Sequence, residues 1–268
     1  MLKDITLGQY FPGETVIHKL DPRTKILVML AYIVVTFCVK NFYGYIALAA
    51  FIVVCVALSK IPPIFVIKGL RPIMVFIIIT ALFNLFLTSG TVVWQFGVLK
   101  ITYEGIQFAV FMVLRLTFLI LGTSLLTLTT SPISLTDGME TLLSPFAKIG
   151  LPAHELSMMM SIALRFIPTL MEETDKIMKA QAARGADFES GNILSRAKAM
   201  IPILIPLFIS AFRRADELAT AMECRCYGVT ENRTSLHELK FQKRDVGATI
   251  VFLVLVAVVA AINFIPSK

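Results

Sequence analysis

Apolar runs limit what this chain can fold into before any motif does. Residues 26–39, 42–58, 72–87, 104–130 and 246–265 are nearly free of charge. A helix needs about 20 predominantly apolar residues, with a range of about 17–25, to cross the hydrocarbon of a bilayer. The first run is short by itself. It becomes long enough when its start is counted, because Asp21-Pro22 reads as an N-cap followed by proline at the first helical position. Lys40-Asn41 breaks the first run from the second, and Pro62-Pro63 closes that hairpin. The loop after the third run carries Ser89-Gly90 and Trp94, the last an interfacial residue type. Five spans are expected. Backbone polar groups in lipid must be satisfied within the segment, which makes the spans helical and the fold class an all-α polytopic membrane protein.

Composition agrees. Of the 268 residues, 57% are hydrophobic and 16% charged, against about 45–50% and about 25% in a soluble domain. A soluble enzyme, a disordered chain and a nucleic-acid-binding module are excluded on that ground. The start, Met1-Leu2-Lys3-Asp4, has no apolar h-region, so no cleaved signal peptide is expected. Cys38 and Cys55 sit inside apolar runs, where a thiol is a small hydrophobe. Cys224 and Cys226 form a lone C-x-C whose nearest histidine is His237, too few ligands for zinc. No metal and no cofactor are expected.

Between residues 131 and 245 the character changes. This block holds 14 Lys+Arg and 14 Asp+Glu, too much charge for lipid. It is nonetheless helical in pattern. Leu156, Met159, Met160, Ala163, Phe166, Ile167 and Leu170 recur at steps of three and four, with Glu155, Arg165, Glu172 and Glu173 at other positions. A second amphipathic stretch covers about 195–227 and a shorter helix about 135–143. Pro168, Pro202 and Pro206 are expected to kink or interrupt these helices. Residues 201–212 are apolar throughout, a length typical of a buried or interfacial segment. Arg196, Lys198, Arg213 and Arg214 flank them on both sides, which favours the membrane interface over a crossing. The chain thus divides into a four-span membrane domain (1–130), a charged domain of long amphipathic helices (131–245) and a final span (246–268).

Placing the charged block in the cytoplasm puts the N-terminus there as well. The inner segments then carry Lys3, Lys19, Arg23, Lys25, Lys60, Lys68 and Arg71, and the outer loops only Lys40 and Lys100, as the positive-inside rule requires.

Chemistry-bearing motifs are scarce. There is no G-x-x-x-x-G-K-[ST] to cradle a nucleotide and no G-x-S-x-G. His154-Glu155 begins like a zinc-protease helix, but Met158 stands where the second histidine is needed. Glu172-Glu173-x-Asp175 reads as a solvated helix face. Arg115 is the one charge deep inside an expected span, and such a residue is a functional candidate by default. A structural role within the bundle, against Asn84 or loop carbonyls, is the plainer reading.

The sharpest signal is a pair of helix ends. One reads Gln181-Ala182-Ala183-Arg184-Gly185, the other Glu223-Cys224-Arg225-Cys226-Tyr227-Gly228. In each, a small residue precedes an arginine and a glycine follows within three residues. Arginine and glycine also serve simply to end a helix. Repetition at two long amphipathic helices raises a second reading, in which each tip docks one arginine into an equivalent pocket. The guanidinium fork suits bidentate pairing with a carboxylate.

These ends, with Leu20-Asp21-Pro22-Arg23-x-Lys25, Gly150-Leu151-Pro152-x-x-Glu155 and Leu164-Arg165-Phe166-Ile167-Pro168, resemble the transmembrane T component of energy-coupling-factor (ECF) importers, the EcfT/CbiQ family. The similarity runs in order over nearly the whole chain. It departs at the second end, where Cys224-Arg225-Cys226 replaces Ala-Arg-Gly.

The resemblance implies a non-catalytic subunit in a bacterial cell membrane that binds no nucleotide itself. Such a subunit joins two ABC-type ATPase subunits to a small membrane S component that captures a vitamin or other micronutrient. It implies that Ala183, Arg184 and Gly185, and Cys224, Arg225, Cys226 and Gly228, form the ATPase-docking tips. Met158, Met159, Met160 and Phe166 would offer a repackable apolar platform for the S component, or else serve as core. Two other classes compete. A secondary transporter should display two related sets of spans with midplane polar groups, and an intramembrane enzyme should display converging acids or metal ligands. Neither pattern is present in the sequence.

Overall fold

The apolar runs become helices in the computed structural model, which describes residues 10–96, 99–150, 152–186, 188, 192–227 and 239–264. Asp21 starts α1 (Pro22–Cys38) as read, its side chain accepting from the Arg23 amide. The second helix, α2, spans Phe42–Ser59 and ends at Lys60, whose φ of 54° closes the last turn. A short α3 (Pro63–Lys68), one 3-10 turn (Arg71–Ile73) and α4 (Met74–Leu87) follow. Thr102 caps α5 (Tyr103–Thr129) by accepting from the Gly105 amide, and Ser131 caps α6 (Pro132–Leu143). Next come α7 (Ala153–Ala183), α8 (Ile193–Cys224) and α9 (Lys243–Phe264).

One feature is new. Residues expected to be plain loop form an antiparallel hairpin of β1 (Val92–Phe96) and β2 (Leu99–Thr102), between α4 and α5. Its edge is short, and Trp94 is exposed on it.

The chain forms two compact units, one of residues Leu7–Ala153 with Leu239–Lys268, the other centred on His154–Glu238. The first unit is a helix bundle. Its core holds Tyr32 of α1, Tyr45, Leu48 and Ile52 of α2, and Phe252, Leu255 and Val259 of α9. Lipid is as apolar as leucine, so packing and hydrogen bonds must hold such helices together. Both are present. Tyr32 donates from its hydroxyl to the Phe118 carbonyl at 3.1 Å, and Tyr45 to that of Phe111 at 3.4 Å. Gly122 lets the Tyr32 ring lie against α5, for a Cβ there would come within 2.5 Å of ring carbon Cε1.

A polar knot ties one end of this bundle. Asp245, on the first turn of α9, accepts from the Asp21 amide at 2.7 Å and from the Gln242 amide at 2.8 Å. Lys25 donates to the carbonyls of His18 and Thr129 and to the Thr130 hydroxyl. Arg23 donates to the Leu239 carbonyl and lies over the Phe241 ring. Asp21, Lys25 and Asp245 are all buried. The opposite ends of the same helices are tied as well. Asn263 accepts from the Lys40 amide and donates to the Cys38 carbonyl, while Asn41 donates to that of Ile262.

Among the described residues, four helical stretches are long and apolar enough to cross a membrane: Phe42–Ser59, Pro63–Leu87, Tyr103–Thr129 and Lys243–Asn263. The 17 residues of α1 sit at the lower limit, but α1 runs parallel to α9 with both ends joined, so it crosses the same thickness and makes the fifth span. In the middle of α6, a Cβ on Gly138 would lie 2.9 Å from Pro22 at the start of α1. Leu239 lies beside the same turn, its carbonyl accepting from Arg23. Among the described residues α8 is not one of the stretches apolar enough to span.

Asp245→Ala leaves the amides of Asp21 and Gln242 without their acceptor and removes a carboxylate charge from beside the buried Lys25. It should cost about 3 kcal/mol, read as a lowered unfolding midpoint of the detergent-purified chain. An unchanged midpoint would mean that the knot is not holding the bundle.

Candidate functional site

The second unit contains α7 and α8, each running unbroken through its prolines, Pro168 in one and Pro202 and Pro206 in the other. The expected interruption does not occur. All three prolines are exposed, so the carbonyls they deprive of a partner can be met outside the helix rather than by breaking it.

The two helices are antiparallel. Tyr227, just past the end of α8, donates to the Met158 sulfur near the start of α7. In the middle, Arg214 pairs with Glu173 at 3.0 Å. Towards the end of α7, Gln181 donates to the Pro202 carbonyl at 3.5 Å. The Ser210 hydroxyl first, and Arg214 second, hold the Glu173 carboxyl below the usual carboxylate range.

Both helices end in the same way, residue for residue. At the end of α7 the Gly185 amide donates to Ala182 and the Ala186 amide to Gln181, each at 3.0 Å, with Gly185 at φ 88°. At the end of α8 the Cys226 amide donates to Glu223 at 2.8 Å and the Tyr227 amide to Met222 at 2.9 Å, with Cys226 at φ 55°. These are two Schellman motifs, in which a left-handed residue turns the chain and satisfies the last carbonyls. Ala183 thus corresponds to Cys224, Arg184 to Arg225 and Gly185 to Cys226. All six are exposed. The sequence reading looked to the glycine beyond for the second turn, and the turn falls on Cys226 instead. Gly228 lies outside the described residues.

Antiparallel pairing puts the two arginines at opposite ends. Arg225 sits beside the first turns of α7 and Arg184 follows its last, which separates them by about 40 Å along the helix at 1.5 Å per residue.

The remaining candidates are dispersed. Met159 and Met160 are exposed on α7, whereas Met158 and Phe166 are half-buried. An apolar stripe on α8, including Ile201, Leu204, Ile205, Phe208 and Phe212, is exposed as well. Arg115 donates to the Val39 carbonyl at 3.4 Å and lies over the Phe37 ring, while Asn84 donates within its own helix to Thr80. Asp245 is not among the residues that the sequence singles out; its signal is an acid at the N-terminal turn of a membrane helix, directly after Lys243-Arg244.

A cysteine with φ near +55° carries steric strain that glycine lacks, of roughly 1–2 kcal/mol. Cys226→Gly should therefore slow amide exchange in the last turn of α8, and Gly185→Ala should speed it in the last turn of α7. Equal exchange in wild type and both variants would contradict the shared geometry.

The family model described as cobalt transport protein (CbiQ) matches residues 13–236. A protein of Ruminiclostridium cellulolyticum called energy-coupling factor transporter transmembrane protein EcfT is 53% identical, over 98% of this chain and 100% of its own length. Proteins with the same name from Thermosediminibacter oceani and Clostridium kluyveri are each 58% identical, covering 93% and 96% of this chain and 94% and 96% of their own lengths. Five membrane helices, two long amphipathic helices with matched arginine ends, and these similarities lead to one conclusion: the chain belongs to the EcfT/CbiQ family of transmembrane components of energy-coupling factor transporters.

Proposed function

We propose that this subunit couples two ABC-type ATPases to a small substrate-capturing S component and thereby drives uptake of a vitamin or similar micronutrient across a bacterial cell membrane. One observation carries the reading: two arginines in identical helix-end geometry, held about 40 Å apart at opposite ends of one antiparallel pair. A single partner pocket has no use for two equivalent tips facing apart. Two copies of one ATPase offer two equivalent pockets, and an exposed guanidinium beyond a helix end suits a carboxylate in each.

In this reading α7, α8 and the N-terminus are cytoplasmic, as the excess of Lys and Arg on the inner segments supports. The tips carry no nucleotide site of their own. Closure of the ATPase pair on ATP draws them together, and the helices pass that movement to the S component. The exposed apolar stripe of α8, with Met159 and Met160 of α7, provides the surface on which it rests.

Arg184→Glu and Arg225→Glu should each weaken ATPase docking, by about 3–5 kcal/mol if the arginine is buried against a carboxylate in the complex. Co-purification of the ATPases and substrate uptake are the readouts, and full recovery of both in the double variant would sink the proposal. A membrane-impermeant maleimide should reach Cys224 and Cys226 only from the cytoplasmic side. Labelling in intact cells would reverse the orientation.

A further inference from the structure

The first unit contains a cavity of about 450 Å³ between α1, α2, α5 and α9, a size typical of ligand sites. It begins under Ile17 and Leu20, beside the polar knot, and extends to Tyr32 and Phe51. Its walls are otherwise almost wholly apolar. Among the described lining residues only Lys25 and Arg244 are charged, and none is acidic.

The two cations are not equivalent. Lys25 is buried and spends its donors on His18, Thr129 and Thr130. Arg244 is exposed, at the first turn of α9. Two carboxylates stand near, but both belong to the knot. Asp245 accepts from two backbone amides, and Asp21 accepts from the Arg23 amide with the Arg23 side chain 3.7 Å away. Arg23, Lys25 and Arg244 together leave the mouth net positive. Gly247, one turn further along α9, lines the cavity, and a Cβ there would meet no heavy atom within 4 Å.

We infer that this cavity holds one acyl chain of an anionic phospholipid, with the lipid phosphate against Arg244. Water is a poor occupant, since a buried water needs two to four polar partners and these walls offer few. A transmembrane helix is about 10 Å or more across with side chains, so a volume of about 450 Å³ would admit scarcely more than one of its turns. A hydrocarbon chain fits the walls, and a cation at the level of the headgroups selects a negative one.

The test uses the full-length chain in nanodiscs of equal phosphatidylglycerol and phosphatidylcholine, with retained lipid identified by native mass spectrometry after release into detergent. The wild type should retain one lipid and favour phosphatidylglycerol about fivefold, the value of one arginine near an anionic surface. Arg244→Gln should retain a lipid without the preference. Gly247→Leu should lose it, and Gly247→Ala, too small to fill the cavity, should keep it. No retained lipid in the wild type, equal retention of the two lipids, or an unchanged preference in both Arg244→Gln and Gly247→Leu would each overturn the assignment. So would a Gly247→Leu chain that keeps its lipid but no longer co-purifies with a partner membrane protein, because the cavity would then belong to that protein.

Discussion

Everything in the membrane unit is registered by a few charges that lipid cannot solvate. Asp21, Lys25 and Asp245 are buried at one end of the bundle, where an unpaired charge would cost several kcal/mol. Each is therefore committed. Asp245 takes the amides of Asp21 and Gln242, which fixes the start of α9 against the start of α1. Lys25 takes the carbonyls that end α5 and the N-terminal segment. A one-residue slip of any of these helices would strand a charge. That penalty does what the hydrophobic effect does in water.

The same economy of contacts appears in the second unit, in another form. Its two helix ends reach one geometry from different residues. Gly185 adopts φ 88° freely, whereas Cys226 is held at φ 55°, a region that side chains avoid. The strain persists because the following amides satisfy carbonyls that would otherwise be orphaned. Identity of shape is thus kept where identity of sequence is not.

Much of this was legible in the chain. The spans follow from apolar length, and α7 and α8 from recurrence at three and four residues. The N-cap of α1 follows from Asp21-Pro22. What sequence alone did not reveal depends on contacts between distant residues. Asp245 lies 224 positions from Asp21, and nothing local distinguishes an acid that pairs with another helix from one that merely favours its own macrodipole. The antiparallel course of α7 and α8 rests on side chains meeting across both helices. The β-hairpin escaped notice because its strands are too short for a clear alternation. Cys226 was passed over because glycine is the usual left-handed residue and one stands two positions beyond. Proline interrupts neither α7 nor α8, since an exposed helix can surrender a hydrogen bond and continue.

The link between α7 and α8 has a mechanical side. Among the described residues neither buried apolar cluster includes a member of either helix. The contacts that join them among the described residues include the Ser210 hydroxyl on Glu173 and, mostly, the far ends of long side chains: Tyr227 on Met158, Arg214 on Glu173, Gln181 on the Pro202 carbonyl. Close-packed interfaces resist shear because their side chains interlock. Bridges of this kind can follow a change of crossing angle by rotating about single bonds, while each helix stays stiff along its length. The pair is built like scissors with rigid blades and a soft pivot.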